Sequence, residues 1–308
     1  REEAEGYTHD AVNTVAESIS RPTLASQLRD YVSLIKLRIV VLLVGTAFPA
    51  MIPAAHGLPR LETLIGVILG GLCASGGANA INCWFDRDID AVMRRTRNRP
   101  IPAGRIPAWH ALALGIALNV IAFAVLSLMA NVLAAALALC GTLIYVFVYT
   151  IWLKRTSTQN IVIGGAAGAI PPLVGWAAVT GRLDLTALSL FLVIFFWTPP
   201  HFWALAQMLS KDYERVSVPM LPAVAGGKRK AQVQSIIYAV LALGASVVPF
   251  FTHSEGVVYL AGAGVLGIGL VALTCLDLSR NGWTRRLYGY SLLYLACIFV
   301  LLAVGVAF

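Results

Sequence analysis

Asn82, Asp86 and Asp90 stand four residues apart in the stretch Asn82–Cys83–Trp84–Phe85–Asp86–Arg87–Asp88–Ile89–Asp90. On an α-helix each step of four advances roughly 400°, so the three drift only about 40° per step and share one face. Neighbours at that spacing lie about 5–6 Å apart at Cβ. Two carboxylates and an amide oxygen that close repel one another unless a cation sits among them. An all-oxygen set of this kind suits a hard divalent ion, Mg2+ above all, which keeps waters and takes substrate phosphates. Asp88 lies off that face and is assigned to a salt bridge with Arg87 or its neighbours. Arg87, Arg94, Arg95, Arg97, Arg99 and Arg105 follow. Acids for a metal beside bases for an anion describe a metal–diphosphate site at a membrane surface.

The elements that must hold this stretch are membrane helices. The chain has 308 residues, 58% hydrophobic and only 12% charged, against about a quarter charged in a soluble domain. Nine apolar segments near the required length of about 20 residues are placed at 37–55, 63–84, 109–130, 132–153, 160–180, 186–209, 231–251, 257–276 and 287–308. The fold class is therefore all-α, a polytopic membrane protein. Residues 1–28 form a polar tail without the apolar run of a secretory signal, and 29–308 form one membrane domain. Gln27–Arg38 carries Leu28, Tyr31 and Ile35 at helical spacing and is expected to lie along the interface.

Loop charge orients the spans. Of the 23 Lys and Arg residues, 21 fall in the amino-terminal segment and alternate loops, and only Arg60 and Arg182 fall opposite. The positive-inside rule then sets the amino terminus and the acidic stretch on the cytoplasmic face and the carboxyl terminus outside, the membrane being the cytoplasmic one if the source is bacterial. The net charge of +8 follows membrane topology, and no base-reading module suggests a nucleic-acid partner. The five cysteines, Cys73, Cys83, Cys140, Cys275 and Cys297, show no CxxC pair and read as small buried thiols.

Gly66/Gly70, Gly164/Gly168 and the group Gly262, Gly264, Gly267 and Gly269 predict close helix packing. Pro171–Pro172 and Pro199–Pro200 break backbone bonds inside spans, so they should face protein and shape a central cavity. His201 must face the bundle, as a satisfied interior imidazole or as an axial ligand. Trp84, Trp109, Tyr149, Trp152 and Trp283 read as an interfacial belt. Two halves of four spans, each with a charged loop after its second helix, plus one extra span, give a weak internal echo.

Asn82–x3–Asp86–x3–Asp90, continued by Met93–Arg94–Arg95–Thr96–Arg97–Asn98–Arg99–Pro100, resembles the signature of the UbiA superfamily of intramembrane prenyltransferases. Four further stretches resemble its haem-farnesylating branch. They are Trp152–Thr156, Gln159–Ala169 with Pro171–Pro172, Pro200–Leu205, and Lys211–Asp212–Tyr213 followed by Val218–Pro222. The likeness covers roughly residues 30–308. Asp212 is followed at the fourth position by Val216, so one acid of the family's second DxxxD pair is missing, and Lys36–Leu37–Arg38 stands where Lys–Pro–Arg is expected.

The resemblance implies a nine-helix UbiA-like bundle around a central cavity. It also implies transfer of the farnesyl group of farnesyl diphosphate to a vinyl group of haem b, with water addition, giving haem O. Mg2+ would sit on Asn82, Asp86 and Asp90, with Asp212 completing the catalytic acids. Lys36, Arg38, Lys154 and Arg155 would bind diphosphate, His201 haem, and Tyr213 would stand beside the site. The lipid bilayer is the setting, and a haem A synthase or oxidase-assembly protein the implied protein partner. The alternatives are an aromatic acceptor, as in quinone synthesis, and a non-enzymatic haem-binding or transport protein.

Overall fold

A computed structural model describes residues 23–280 and 282–305. Residues 1–22, which hold most of the expected tail, lie outside the described residues. The first helix, α1 (Leu24–Leu34), starts where the Thr23 hydroxyl accepts the Ser26 N–H at 3.2 Å. It crosses the boundary placed after residue 28. Its outer side shows Leu24, Leu28 and Val32, as an interfacial helix requires. Tyr31 joins His110 at 2.6 Å, and Arg105 grips Asp30 at 2.9 and 3.1 Å, so α1 is pinned to the loop that carries the arginines.

Nine long apolar helices follow among the described residues. In chain order, with the short loop helices, they are α2 (Leu37–Ala55), α3 (Leu61–Phe85), the short α4 (Arg87–Val92), α5 (Ala108–Met129), α6 (Val132–Thr156), α7 (Asn160–Thr180), α8 (Leu185–Met208), the short α9 (Ser210–Arg215), α10 (Gly227–Phe251), α11 (Val257–Ser279) and α12 (Thr284–Gly305). The all-α, nine-span expectation holds, with boundaries moved by a few residues. Caps explain several starts. The Asn131 side chain accepts the Ala134 N–H and Asp184 accepts that of Ala187. Gly181, at φ 68°, ends α7 in the left-handed turn that glycine favours.

The helices close into a ring in which each packs on the next and α12 returns to α2, while α7 packs across on α2. The packing repeats. The α3–α5 and α8–α10 interfaces are the most extensive, and α4 and α9 follow the second helix of each half. The internal echo is thus a structural one, four helices and four with α12 added.

The interior mixes alanines and polar residues with large side chains such as Leu190, Trp203 and Tyr294, while others such as Val120, Leu128 and Val265 point outward, which suits a lipid surround. A Cβ on Gly66 would stand 2.6 Å from Met129 Cβ, and one on Gly70 2.5 Å from Leu126 Cγ, so the first GxxxG pair does set α3 against α5. The reading fails at Gly168 and Gly264, where a Cβ would meet nothing within 4 Å. Pro172, Pro199 and Pro200 are buried against protein, where neighbours can answer the freed carbonyls. One correction concerns the thiols. Cys83 is buried, but Cys140 and Cys275 are exposed on the outer surface of the bundle, since a thiol is apolar enough to meet lipid.

Candidate active site

The inward face of α3 carries a polar row. Asn79 and Asn82 are buried, Asp86 is 1% exposed, and Asp90, one turn beyond, is 4% exposed. The Asp86 N–H bonds the Asn82 carbonyl at 2.9 Å, and the Asp90 N–H bonds the Asp86 carbonyl at 2.8 Å. The helical repeat therefore runs through the junction of α3 and α4, and the three residues share a face as their spacing requires.

Bases from three other segments answer this face. Lys36 Nζ donates to Asn82 Oδ1 at 2.7 Å. The Asn82 amide nitrogen donates to Asp86 Oδ2 at 2.7 Å and to Thr150 Oγ1 at 3.1 Å. Lys154 Nζ donates to Asp86 Oδ2, and Arg155 comes within 3.5 Å of Asp86 Oδ1. Arg99 donates to Asp90 Oδ2 at 2.6 Å, and the Thr96 hydroxyl holds the Asp90 carbonyl at 3.0 Å. Lys36 stands between α1 and α2 at φ 53°, ψ 53°. A side-chain-bearing residue in that left-handed region stores about 1–3 kcal/mol of strain, a feature that clusters at functional sites. Burial lowers the Lys36 pKa from its ordinary value.

Three expectations need correction. Asp88 pairs with Arg155, through two bonds of 2.7 Å, and not with Arg87, which bonds the Trp84 carbonyl and lies over its ring. The Arg155 hydrogen bonds pull the Asp88 carboxyl down to about 2. The partner lies 67 residues away in sequence, so local spacing could not name it. Arg38 is exposed and forms no ion pair among the described residues. Lys36 lies outside the helix in a left-handed conformation, whereas Arg38 is the second residue of α2. Tyr149 is no belt residue. It stacks on Tyr145 at 5.6 Å and packs so tightly on α7 that a Cβ on Gly164 would clash with its ring.

The second long loop meets the first over the ends of α3 and α8. Tyr213 of α9 packs on a cluster of Ile89, Met93, Ile161, Ala206, Val218 and Met220. Burial raises its pKa. Asp212, beside it, is half-buried and makes no ion pair among the described residues. His201 lies elsewhere, 6% exposed at the α8–α12 interface, with its ring stacked between Trp197 (4.3 Å) and Tyr288 (4.8 Å). Its Nδ1 meets Ser291 Oγ at 2.8 Å, and Ser291 spends its one proton on the Tyr288 carbonyl at 2.7 Å. Nδ1 must then be the donor, which leaves Nε2 with its lone pair.

Thr150, Asn79 and Tyr145 were not singled out from the sequence, and Arg99 was named only among the bases that follow the acids. Asn79 carried a signal, since an amide one turn before Asn82 in an apolar run must face protein. Among the described residues no three His, Cys, Asp or Glu side chains gather as a ready cation site. Asn82, Asp86 and Asp90 nevertheless fit a hard divalent ion, because Asp86 Oδ1 is buried with no hydrogen-bond partner among the described residues and every other donor is oxygen.

The sequence profile of the UbiA prenyltransferase family matches residues 43–298. A protoheme IX farnesyltransferase of Roseiflexus sp. (strain RS-1) is 54% identical over 282 residues, 91% of this chain and 52% of that protein. One from Symbiobacterium thermophilum is 50% identical over 295 residues, 94% of this chain and 98% of that protein. The chain thus spans about half the length of the Roseiflexus relative. Among solved structures, one described as a digeranylgeranylglyceryl phosphate synthase superposes with a TM-score of 0.78 at 19% identity, covering 91% of this chain and 98% of that one. A UbiA homolog from Archaeoglobus fulgidus bound to GPP and Mg2+ gives 0.62 at 15% identity, covering 89% and 99%.

Proposed function

Because the chain belongs to the UbiA prenyltransferase family, we propose that it transfers the farnesyl group of farnesyl diphosphate to a vinyl group of haem b, with water added, releasing haem O and diphosphate. The observation that carries the donor half is the acid–base network on α3, where Asn82, Asp86 and Asp90 are linked to Lys36, Lys154, Arg155 and Arg99. The acceptor half is supported by the names of relatives that are 50–54% identical to this chain over the aligned residues.

Asn82, Asp86 and Asp90 would hold Mg2+, which when bound neutralises charge on the leaving diphosphate. Lys36 and Lys154 already point their ammonium groups at this face, and they bind and orient the diphosphate as point charges. Arg155 offers a planar fork for bidentate contact, and Arg99 balances Asp90. Once the C–O bond breaks, the allylic carbon is attacked by the vinyl group. Water then adds to the new cation, and its proton passes to the diphosphate released in the first step. The two long loops pack together over the end of α3, a cover that would keep bulk water from that first cation. Asp212 and Tyr213 border the same end, Asp212 as a remaining acid for a diphosphate-bound cation. Arg38, turned outward, serves topology instead.

His201 Nε2, with Nδ1–H fixed by Ser291, is the haem contact in this reading. The site opens to the cytoplasm in the cytoplasmic membrane, with the carboxyl terminus outside. A haem A synthase or an oxidase-assembly protein would take the product onward. The test is incubation of purified protein with haem b, farnesyl diphosphate and Mg2+, followed by mass analysis. A farnesylated, hydrated haem is expected. Prenylation of a hydroxybenzoate with haem unchanged would replace this reading by the aromatic-acceptor one.

A further inference from the structure

Three side chains of α6 meet three of α3 in the same order. Tyr145 hydroxyl reaches Asn79 Oδ1 at 3.5 Å, Thr150 Oγ1 accepts from Asn82, and Lys154 donates to Asp86. The two helices therefore run parallel here, yet the spacings disagree. Asn79 to Asp86 is seven residues, an advance of about 10.5 Å along an α-helix. Tyr145 to Lys154 is nine residues, which as α-helix would advance about 13.5 Å. The same winding would put Tyr145 and Lys154 on opposite sides, about 180° apart.

The mismatch is resolved because α6 is π-wound from Ile144 to Leu153. A π-turn bonds five residues back instead of four, so it is wider and rises less per residue. At about 4.4 residues per turn, positions 145, 150 and 154 come within about 50° of one another. Nine residues of α6 then keep step with seven of α3.

We propose that the π-wound segment is the register device of the acidic face and that Thr150 is its positioning residue. Thr150 is fully buried. The Asn82 amide has two N–H bonds, one spent on Asp86 Oδ2 and the other on Thr150 Oγ1. Both anchors together turn Oδ1 toward Lys36 and the side where the acids converge. Without Thr150 Oγ1 one N–H is released, and the amide can present nitrogen where an oxygen ligand is needed. The inference rests on the reading of this face as the divalent-ion and diphosphate site.

The test is direct binding of Mn2+, as a paramagnetic stand-in for Mg2+, measured by electron paramagnetic resonance on the full chain in detergent. Thr150→Val should weaken Mn2+ binding by about tenfold or more, the usual effect of losing a residue that orients a metal ligand. It should raise KM for farnesyl diphosphate more than it lowers kcat. Thr150→Ser restores the acceptor and should restore both. If Thr150→Val does not accumulate in membranes, Thr150→Ala removes the same acceptor with less bulk and carries the same expectation. Wild-type Mn2+ binding in either variant, or equal loss in the Ser and Val variants, overturns the inference alone. A wild-type protein that binds no Mn2+ and releases no diphosphate overturns the reading of the face and the inference with it.

Discussion

At the scale of single residues, burial decides what each acid can reveal. Asp86 is 1% exposed and bonded to Lys154 and Asn82. Removing one partner of a buried ion pair typically costs about 3–5 kcal/mol. Asp86→Ala should therefore lower the thermal midpoint as well as abolish turnover, and it cannot isolate the chemistry. Asp86→Asn keeps the volume and a hydrogen-bonding oxygen. It should slow diphosphate release by about a hundredfold or more with a smaller loss of midpoint, read by a coupled diphosphate assay beside a melting curve. A second buried acid tests linkage. Glu255, in the loop before α11, is 7% exposed, has no hydrogen-bond partner for either oxygen among the described residues, and is pushed up to about 8 by burial. Its folded pKa lies above the unfolded value near 4.5. The protonated form is the one the fold accepts, so its contribution to stability is whole below pH 4.5 and is lost as pH rises through about 8. Glu255→Gln should match wild type in melting temperature near pH 4.5 and exceed it at pH 8 to 9. A gap that is constant across pH would rule this out.

At the scale of elements, the glycines separate contact from composition. Gly66 and Gly168 both sit in small-xxx-small patterns, but only Gly66 has a neighbour within reach. Gly66→Ala should destabilise by about 1–3 kcal/mol, the range for overpacking, whereas Gly168→Ala should be near neutral in the same thermal assay. Equal effects would show that the pattern and not the α3–α5 contact matters. The α8–α12 interface offers a similar contrast. Ser291→Ala removes the acceptor of His201 Nδ1 and frees the ring tautomer. It should change the spectrum of added haem in the direction of His201→Ala, and an unchanged spectrum in both would dismiss His201 as a haem contact.

At the scale of the whole molecule, charge sets orientation. The loops after α3 and α8, where the arginine-rich and Asp212 segments meet, lie on the side that holds nearly all the bases. In a background without native cysteines, a membrane-impermeant maleimide added to intact cells should label Leu58→Cys and spare Ser217→Cys. Both positions are exposed, and the reverse pattern would invert the topology.

The sequence by itself determined the number of helices among the described residues and the acidic face, and its loop charge carries the expected sidedness. Each depends on local apolar length, on loop charge, or on a four-residue repeat that a helix maps onto one side. Family likeness was legible too, because motifs such as Asn82–x3–Asp86–x3–Asp90 are contiguous in the chain. The tertiary structure alone decided who pairs with whom. Asp88 with Arg155, Lys36 with Asn82, and Arg38 facing away are set by where helices meet across tens of residues. The π-winding of α6 belongs to the same class. Nothing in Ile144–Leu153 breaks a helix locally, and the widened turn becomes visible only as a match between nine residues of α6 and seven of α3. The opening triad was thus readable as a face from its spacing, while the bases and the hydroxyl that hold it came from segments that only folding brings to it.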